Sequence, residues 1–114
     1  LDFCLQGPQG LHLVEVKGVT LEDGGHALFP DAPTERGVRH LRELASAVAL
    51  GHRATVFFVI QMAEVTDFAP NDATHPAFGE ALRQAVAAGV QAAAYTCRVA
   101  PDSIVIDRPV PVIL

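Results

Sequence analysis

The sequence predicts an α/β sandwich built on a mixed sheet, and three observations carry that prediction. One is length: 114 residues suffice for one buried core and not for two. Another is composition. Half of the residues are apolar and 18% are charged, so apolar burial is large enough to offset the entropy of ordering the chain. The third is pattern: short apolar runs alternate with segments of helical periodicity in the order β-β-α-β-α-β. A hairpin supplies an antiparallel pair and helical crossovers supply the later strands, which makes the sheet mixed.

Leu1 to Gln6 and Leu11 to Val19 are apolar-rich runs flanking Gly7-Pro8-Gln9-Gly10, a cluster of turn-forming residues, and together they read as a hairpin. Thr20 to Pro33 is polar and rich in Gly, Asp and Pro. It reads as a long loop, near the size at which binding or motion is usual. Gly24-Gly25 lets that loop bend; no Gly-Lys-Ser/Thr follows to make it a phosphate loop. Thr34 is placed to cap a helix running to about Leu50, with Gly51 as its stop. Val38, Leu41, Leu44, Ala45 and Val48 form its apolar face, and Arg36, Arg39, His40, Arg42 and Glu43 the opposite one. Arg53 to Met62 holds the continuous run Val56 to Ile60, the mark of a central strand buried on both faces.

Glu64 to Thr74 reads as a loop. Pro76 suits the first turn of a second helix that buries Phe78, Ala81, Leu82, Ala85 and Val86 and ends at Gly89. Val90 to Val99 is a further strand and Ser103 to Asp107 a short one. Pro109 and Pro111 restrict anything beyond to a sheet edge.

No apolar run approaches the roughly 18 to 20 residues of a membrane helix, and no secretory signal opens the chain. The expectation is a cytoplasmic protein without membrane contact. Cys4 and Cys97 are expected as buried, reduced thiols. The chain starts at Leu1 and its only methionine is Met62, so it is expected to be a fragment with an upstream part. Thirteen acidic against eight basic residues give a net charge of −5, which argues against strong nucleic-acid binding by charge alone. Yet Arg36, Arg39, Arg42 and Arg53 concentrate half of the basic residues in one stretch, enough for a locally basic, DNA-facing surface.

Glu15 and Lys17 are two apart on a strand and share a face, with Val14 and Val16 on the other. If Gln6 faces Leu11 across the hairpin, register sets Asp2 opposite Glu15. Opposed carboxylates repel, so the pair calls for a proton, a cation or Lys17, the only lysine in the sequence. Two carboxylates on a rigid sheet suit Mg²⁺, which keeps much of its water. Lys17 is then placed to stabilise negative charge developing on a phosphate. The plainer alternative is a solvated sheet face. Glu35, Arg36 and His40 begin the helix beside these strands and are candidates for the same cleft. His12, His26, His52 and His75 lack zinc-ligand spacing and read as surface or loop residues.

Three segments are recognisable: Leu13-Val14-Glu15-Val16-Lys17-Gly18-Val19-Thr20-Leu21, then Phe29-Pro30-Asp31-Ala32-Pro33-Thr34-Glu35-Arg36-Gly37, then His40-Leu41-Arg42-Glu43-Leu44. Together they closely resemble the bacterial and archaeal sugar fermentation stimulation protein family. The resemblance implies an N-terminal OB-like domain followed by a restriction-endonuclease-like domain of the PD-(D/E)xK superfamily, a mixed sheet flanked by helices. Residues 1–114 match that second domain, and the leading helix and first strand of the superfamily are expected upstream. It also implies DNA binding, in large part through the upstream domain, and a link to regulation of sugar, especially maltose, metabolism. Asp2 takes the motif's first acid, Glu15 its second and Lys17 its lysine, with Asp2 and Glu15 holding Mg²⁺ or Mn²⁺. Leu1 stands where the motif has proline. A DNA-binding protein and an active Mg²⁺-dependent nuclease are the two functions this leaves open.

Overall fold

The computed structural model describes residues 3–8 and 10–114. Phe3–Gly7 (β1) and Gly10–Val19 (β2) form the expected hairpin. Its register sets Gln6 opposite Leu11 and continues to Phe3 opposite Val14. Gly7 and Gly10 pair with each other, so the turn is tighter than a four-residue loop, while the register matches the sequence expectation.

The segment 20–33 is not a loop. Leu21–Asp23 (β3) and His26–Phe29 (β4) pair antiparallel. Between them Gly24 and Gly25 have φ of 60° and 88°, the left-handed values a two-residue hairpin turn demands of both central positions. Thr34 caps Glu35–Ala49 (α1), its hydroxyl accepting from the Gly37 amide, and Gly51 follows the helix with φ 92°. Arg53–Ile60 (β5) comes next. The segment 64–74 also contains a strand, Asp67–Pro70 (β6), paired parallel with β4. Pro76–Ala88 (α2) ends on left-handed Gly89. Gln91–Ala100 (β7) and Ser103–Val110 (β8) complete the chain, β8 running longer than expected along the edge and carrying Pro109.

Two sheets result. The larger has the order β1-β2-β5-β7-β8, with β2, β5 and β7 parallel and antiparallel strands at both edges; the smaller is β3-β4-β6. β5 is central as expected, but it is not buried on both faces. Ala54, Val56, Phe58 and Ile60 are buried and pack with Leu41, Leu44, Phe78 and Leu82 of the helices, whereas Thr55, Phe57 and Val59 are half-buried. Phe58 stacks on Phe68 at 4.2 Å and Phe29 meets Phe78 edge-on at 5.1 Å, which fastens the small sheet to this core. Cys97 is buried and free, but Cys4 is exposed, because it lies on the edge strand β1. Among the described residues no helix is long and apolar enough to cross a membrane.

Candidate functional site

β2 has its odd-numbered residues in register with the buried face of β5: Leu13 opposite Ala54, Glu15 opposite Val56, Lys17 opposite Phe58 and Val19 opposite Ile60. Glu15 and Lys17 therefore point toward the helices, in a row whose other members are apolar. Glu15 is only 4% exposed, and the Lys17 side chain 14%. This is not a solvated sheet face.

The third member comes from α1. His40 is 8% exposed and stands on the buried side of the helix with Gly37, Leu41 and Leu44; the expectation that it shares the outer face with the arginines is wrong. The reason lies in its spacing, three residues after Gly37 and four before Leu44, which puts it on the stripe turned to the sheet. Its Nδ1 lies 2.8 Å from Glu15 Oε1 and 2.9 Å from Lys17 Nζ, and Nζ donates to Oε1 at 3.3 Å. One imidazole proton sets the pattern in this triangle. On Nδ1, it is donated to Glu15; on Nε2, it leaves Nδ1 to accept from Lys17.

The charges shift one another. Burial, reinforced by the Lys17 ammonium, holds the His40 imidazole below its ordinary value, against the pull of Glu15. Burial disfavours the Glu15 carboxylate, and the neighbouring Lys17 favours it. Near pH 7 the site thus holds a carboxylate at Glu15 and a neutral imidazole at His40.

Asp2 lies outside the described residues. Among those described, no group of three or more His, Cys, Asp or Glu side chains is arranged to hold a metal ion. A carboxylate-poor, water-rich magnesium site needs only one or two protein carboxylates, and Glu15 is a buried, charged one. The donor chemistry fits that kind of ion.

The remaining candidates are dispersed. Arg36, Arg39 and Arg42 are exposed on the outer side of α1, Arg39 lying 3.9 Å from Glu43 one turn on. Glu35 opens the helix and is also exposed. Arg53 opens β5 beyond the other end of α1, where it lines a depression with the β1–β2 hairpin. Of the four histidines expected on the surface or in loops, His12 and His26 lie on strands beside Thr55 and Asp67, the His52 Nδ1 accepts from the Leu11 amide, and the His75 Nδ1 accepts from the Thr34 amide at 3.1 Å. The position of His75 directly before Pro76 was the one sequence cue to a helix-start role.

The profile of the sugar fermentation stimulation protein RE domain matches residues 1–103. The chain is 59% identical over 103 residues to a sugar fermentation stimulation protein homolog of Desulfitobacterium hafniense (strain Y51), covering 90% of this chain and 45% of that protein. It is 51% identical over 113 residues to the homolog of Geobacter sulfurreducens, covering 99% and 48%. The structure of Pyrococcus furiosus SfsA in complex with Ca²⁺ superposes with a TM-score of 0.92 at 30% identity, covering all of this chain and 50% of that one. The chain spans about half the length of the curated relatives it matches. The fold is restriction-endonuclease-like, and the chain belongs to the sugar fermentation stimulation protein family.

Proposed function

We propose that this domain binds DNA and carries a PD-(D/E)xK-type metal site at Glu15, in a cytoplasmic protein linked to regulation of sugar, especially maltose, metabolism. One observation carries the reading: Glu15 and Lys17 stand in a row of the sheet that is otherwise apolar, and the buried His40 of α1 meets them there. A strand serving structure alone gains more from apolar residues there, since removing charges from water is costly. The Ca²⁺ complex of the Pyrococcus furiosus relative and the family's RE domain point the same way.

Asp2 and Glu15 are the proposed ligands, and Mg²⁺ the proposed ion, with Mn²⁺ able to replace it. When bound, the cation supplies Lewis-acid stabilisation of charge on phosphate oxygens. Lys17 has three N–H groups and is proposed to turn one toward a phosphate oxygen while Glu15 and His40 hold its position. Arg36, Arg39 and Arg42 are the proposed phosphate-tracking surface, with Arg53 a further contact and an upstream OB-like domain providing much of the affinity.

Phosphodiester hydrolysis is the second reading. The half-buried Lys17 beside the Glu15 carboxylate favours it, because DNA binding alone has no use for this pair. The test is incubation of the full-length protein with duplex, single-stranded and branched DNA, with and without Mg²⁺ or Mn²⁺. Retention of DNA supports binding. Metal-dependent cutting that disappears in Glu15→Gln and falls about a hundredfold in Lys17→Ala establishes hydrolysis. A protein that neither retains nor cuts any of these substrates overturns the proposal.

A further inference from the structure

The pairing of β5 with β7 ends at Ile60 and Thr96, yet β7 and β8 run on together from Cys97 opposite Ile106 to Ala100 opposite Ser103. The end of this hairpin is a two-stranded ribbon that projects past β5, and among the described residues β8 is an outermost strand of its sheet. Its apolar residues meet water: Val99 is 73% exposed and Ile104 59%, and Val105 and Ile106 are exposed as well. A two-stranded ribbon has little core of its own, and an open apolar edge is a template for another strand. Charged side chains commonly blunt such an edge. Residues 103–106 carry none.

We propose that β8 is a self-association edge, to which a second copy of this chain adds its own β8 antiparallel about a two-fold axis through Val105. The occupant is read from a segment that complements itself about that residue: Pro101-Asp102-Ser103-Ile104-Val105-Ile106-Asp107-Arg108-Pro109. With Val105 opposite the partner's Val105, Ile104 meets the partner's Ile106 on one face. Ser103 is then set to donate to the partner's Asp107, and Asp102 to pair with the partner's Arg108, each contact occurring twice by symmetry. Arg108 donates to the Ala63 and Val65 carbonyls through Nη2 alone, so its guanidinium has further N–H groups for a carboxylate. Pro101 faces the partner's Pro109 and closes the ladder at both ends, since proline has no N–H to give. Centred on Ile106 instead, the pair would set Val105 against the partner's Asp107 and Ser103 against the partner's Pro109, losing both the apolar match and a ladder hydrogen bond.

This interface uses neither Glu15, Lys17 nor the α1 arginines, so it goes beyond the metal and DNA readings. The experiment is sedimentation velocity of the full-length protein, wild type and Val105→Lys. The wild type should sediment as a dimer. Val105→Lys, at an exposed position where folding is not at stake, should halve the mass to that of a monomer, because two ammonium groups would oppose each other at the axis. Register is read by oxidation in a Cys4→Ser background, which removes the exposed thiol. Val105→Cys should form a disulfide-linked dimer, since directly opposed residues hold their Cβ atoms about 4.5–5.5 Å apart. Ser103→Cys should not, because the two copies of that position lie about 13 Å apart along the strands. A monomeric wild type would overturn the proposal, as would a dimer that survives Val105→Lys or that cross-links as well through Ser103→Cys as through Val105→Cys.

Discussion

Lys17 is the only lysine in the chain, and it stands half-buried between Glu15 and His40. Glu15→Ala leaves the ammonium beneath α1 without its carboxylate, so we expect a loss of about 3 kcal/mol in denaturant unfolding. Replacing both by apolar residues, Glu15→Leu with Lys17→Met, should recover most of that loss, because two desolvated charges disappear together. A double variant as unstable as the single one would show that the pair is needed for folding. His40 gives a pH signature. Its imidazole is held below the ordinary 6.5, so the unfolded chain takes up the proton first. The stability tied to its neutral form is whole above about pH 6.5 and is lost as pH falls through the folded value. Wild-type stability should therefore fall between pH 7 and 5 more steeply than that of His40→Gln, and the His40 ring resonances should titrate below pH 6.5. Glu15 and Lys17 were legible as a pair because strand alternation fixes their shared face. Which face that is was not, since alternation gives parity and only the packing of α1 decides which side is covered. Sequence places His40 on the polar face of the helix and also in the cleft beside Glu15 and Lys17; spacing could not choose between them, because a polar residue at a buried spacing looks like part of the polar face unless its partner is known.

Gly37 and Gly79 both sit in helices, where Gly→Ala ordinarily gains about 1 kcal/mol, and their surroundings split them. A Cβ on Gly37 would stand 2.8 Å from Thr34 Cγ2 and 3.2 Å from Phe78 Cε1, atoms fixed by a helix cap and a buried ring. Gly37→Ala should therefore destabilise by about 1–3 kcal/mol. At Gly79 the obstacle is the carboxylate of Asp72, the far end of an exposed side chain bound to Arg83. That side chain swings away at the cost of a surface pair, so Gly79→Ala should be near neutral. Thermal unfolding of the two variants checks the contrast; equal effects would contradict it. The same level of structure shows what patterning conveys. Both helices were legible because cap, apolar stripe and terminal glycine agreed, and β2, β5 and β7 because of their length. β3, β4 and β6 were not, at three or four residues each, too short for alternation to register. Gly24-Gly25 carried the hairpin signal, but the acidic and apolar residues around it gave no strand pattern to frame it. β6 forms because Phe68 is buried against Phe58, a contact fixed by tertiary packing.

At the scale of the molecule, a net charge of −5 has to be reconciled with a proposed DNA partner. The reconciliation is local. Arg36, Arg39 and Arg42 stand at spacings of three on the exposed side of α1, an arc suited to phosphates and unable by itself to read bases, while the acidic residues elsewhere repel the duplex. The domain alone should then bind DNA weakly and without sequence preference, and the full-length protein more tightly, because this chain spans only about half of its relatives. A titration of affinity against salt separates the contributions. Each phosphate contact removed should lower the magnitude of the log–log slope by roughly 0.9 on duplex DNA. Arg36→Ala and Arg42→Ala should each show that decrement and weaken all sequences alike, whereas Glu15→Gln should leave the slope nearly unchanged, its effect confined to the metal response. Arg53 is the informative exception. It opens β5 beyond the far end of the 15-residue α1, so a decrement in Arg53→Ala equal to that of Arg36→Ala would mean that the duplex runs the length of the helix. No decrement would confine the contact to its N-terminal half. Unchanged slopes in all of the arginine variants would move the DNA surface off α1 altogether.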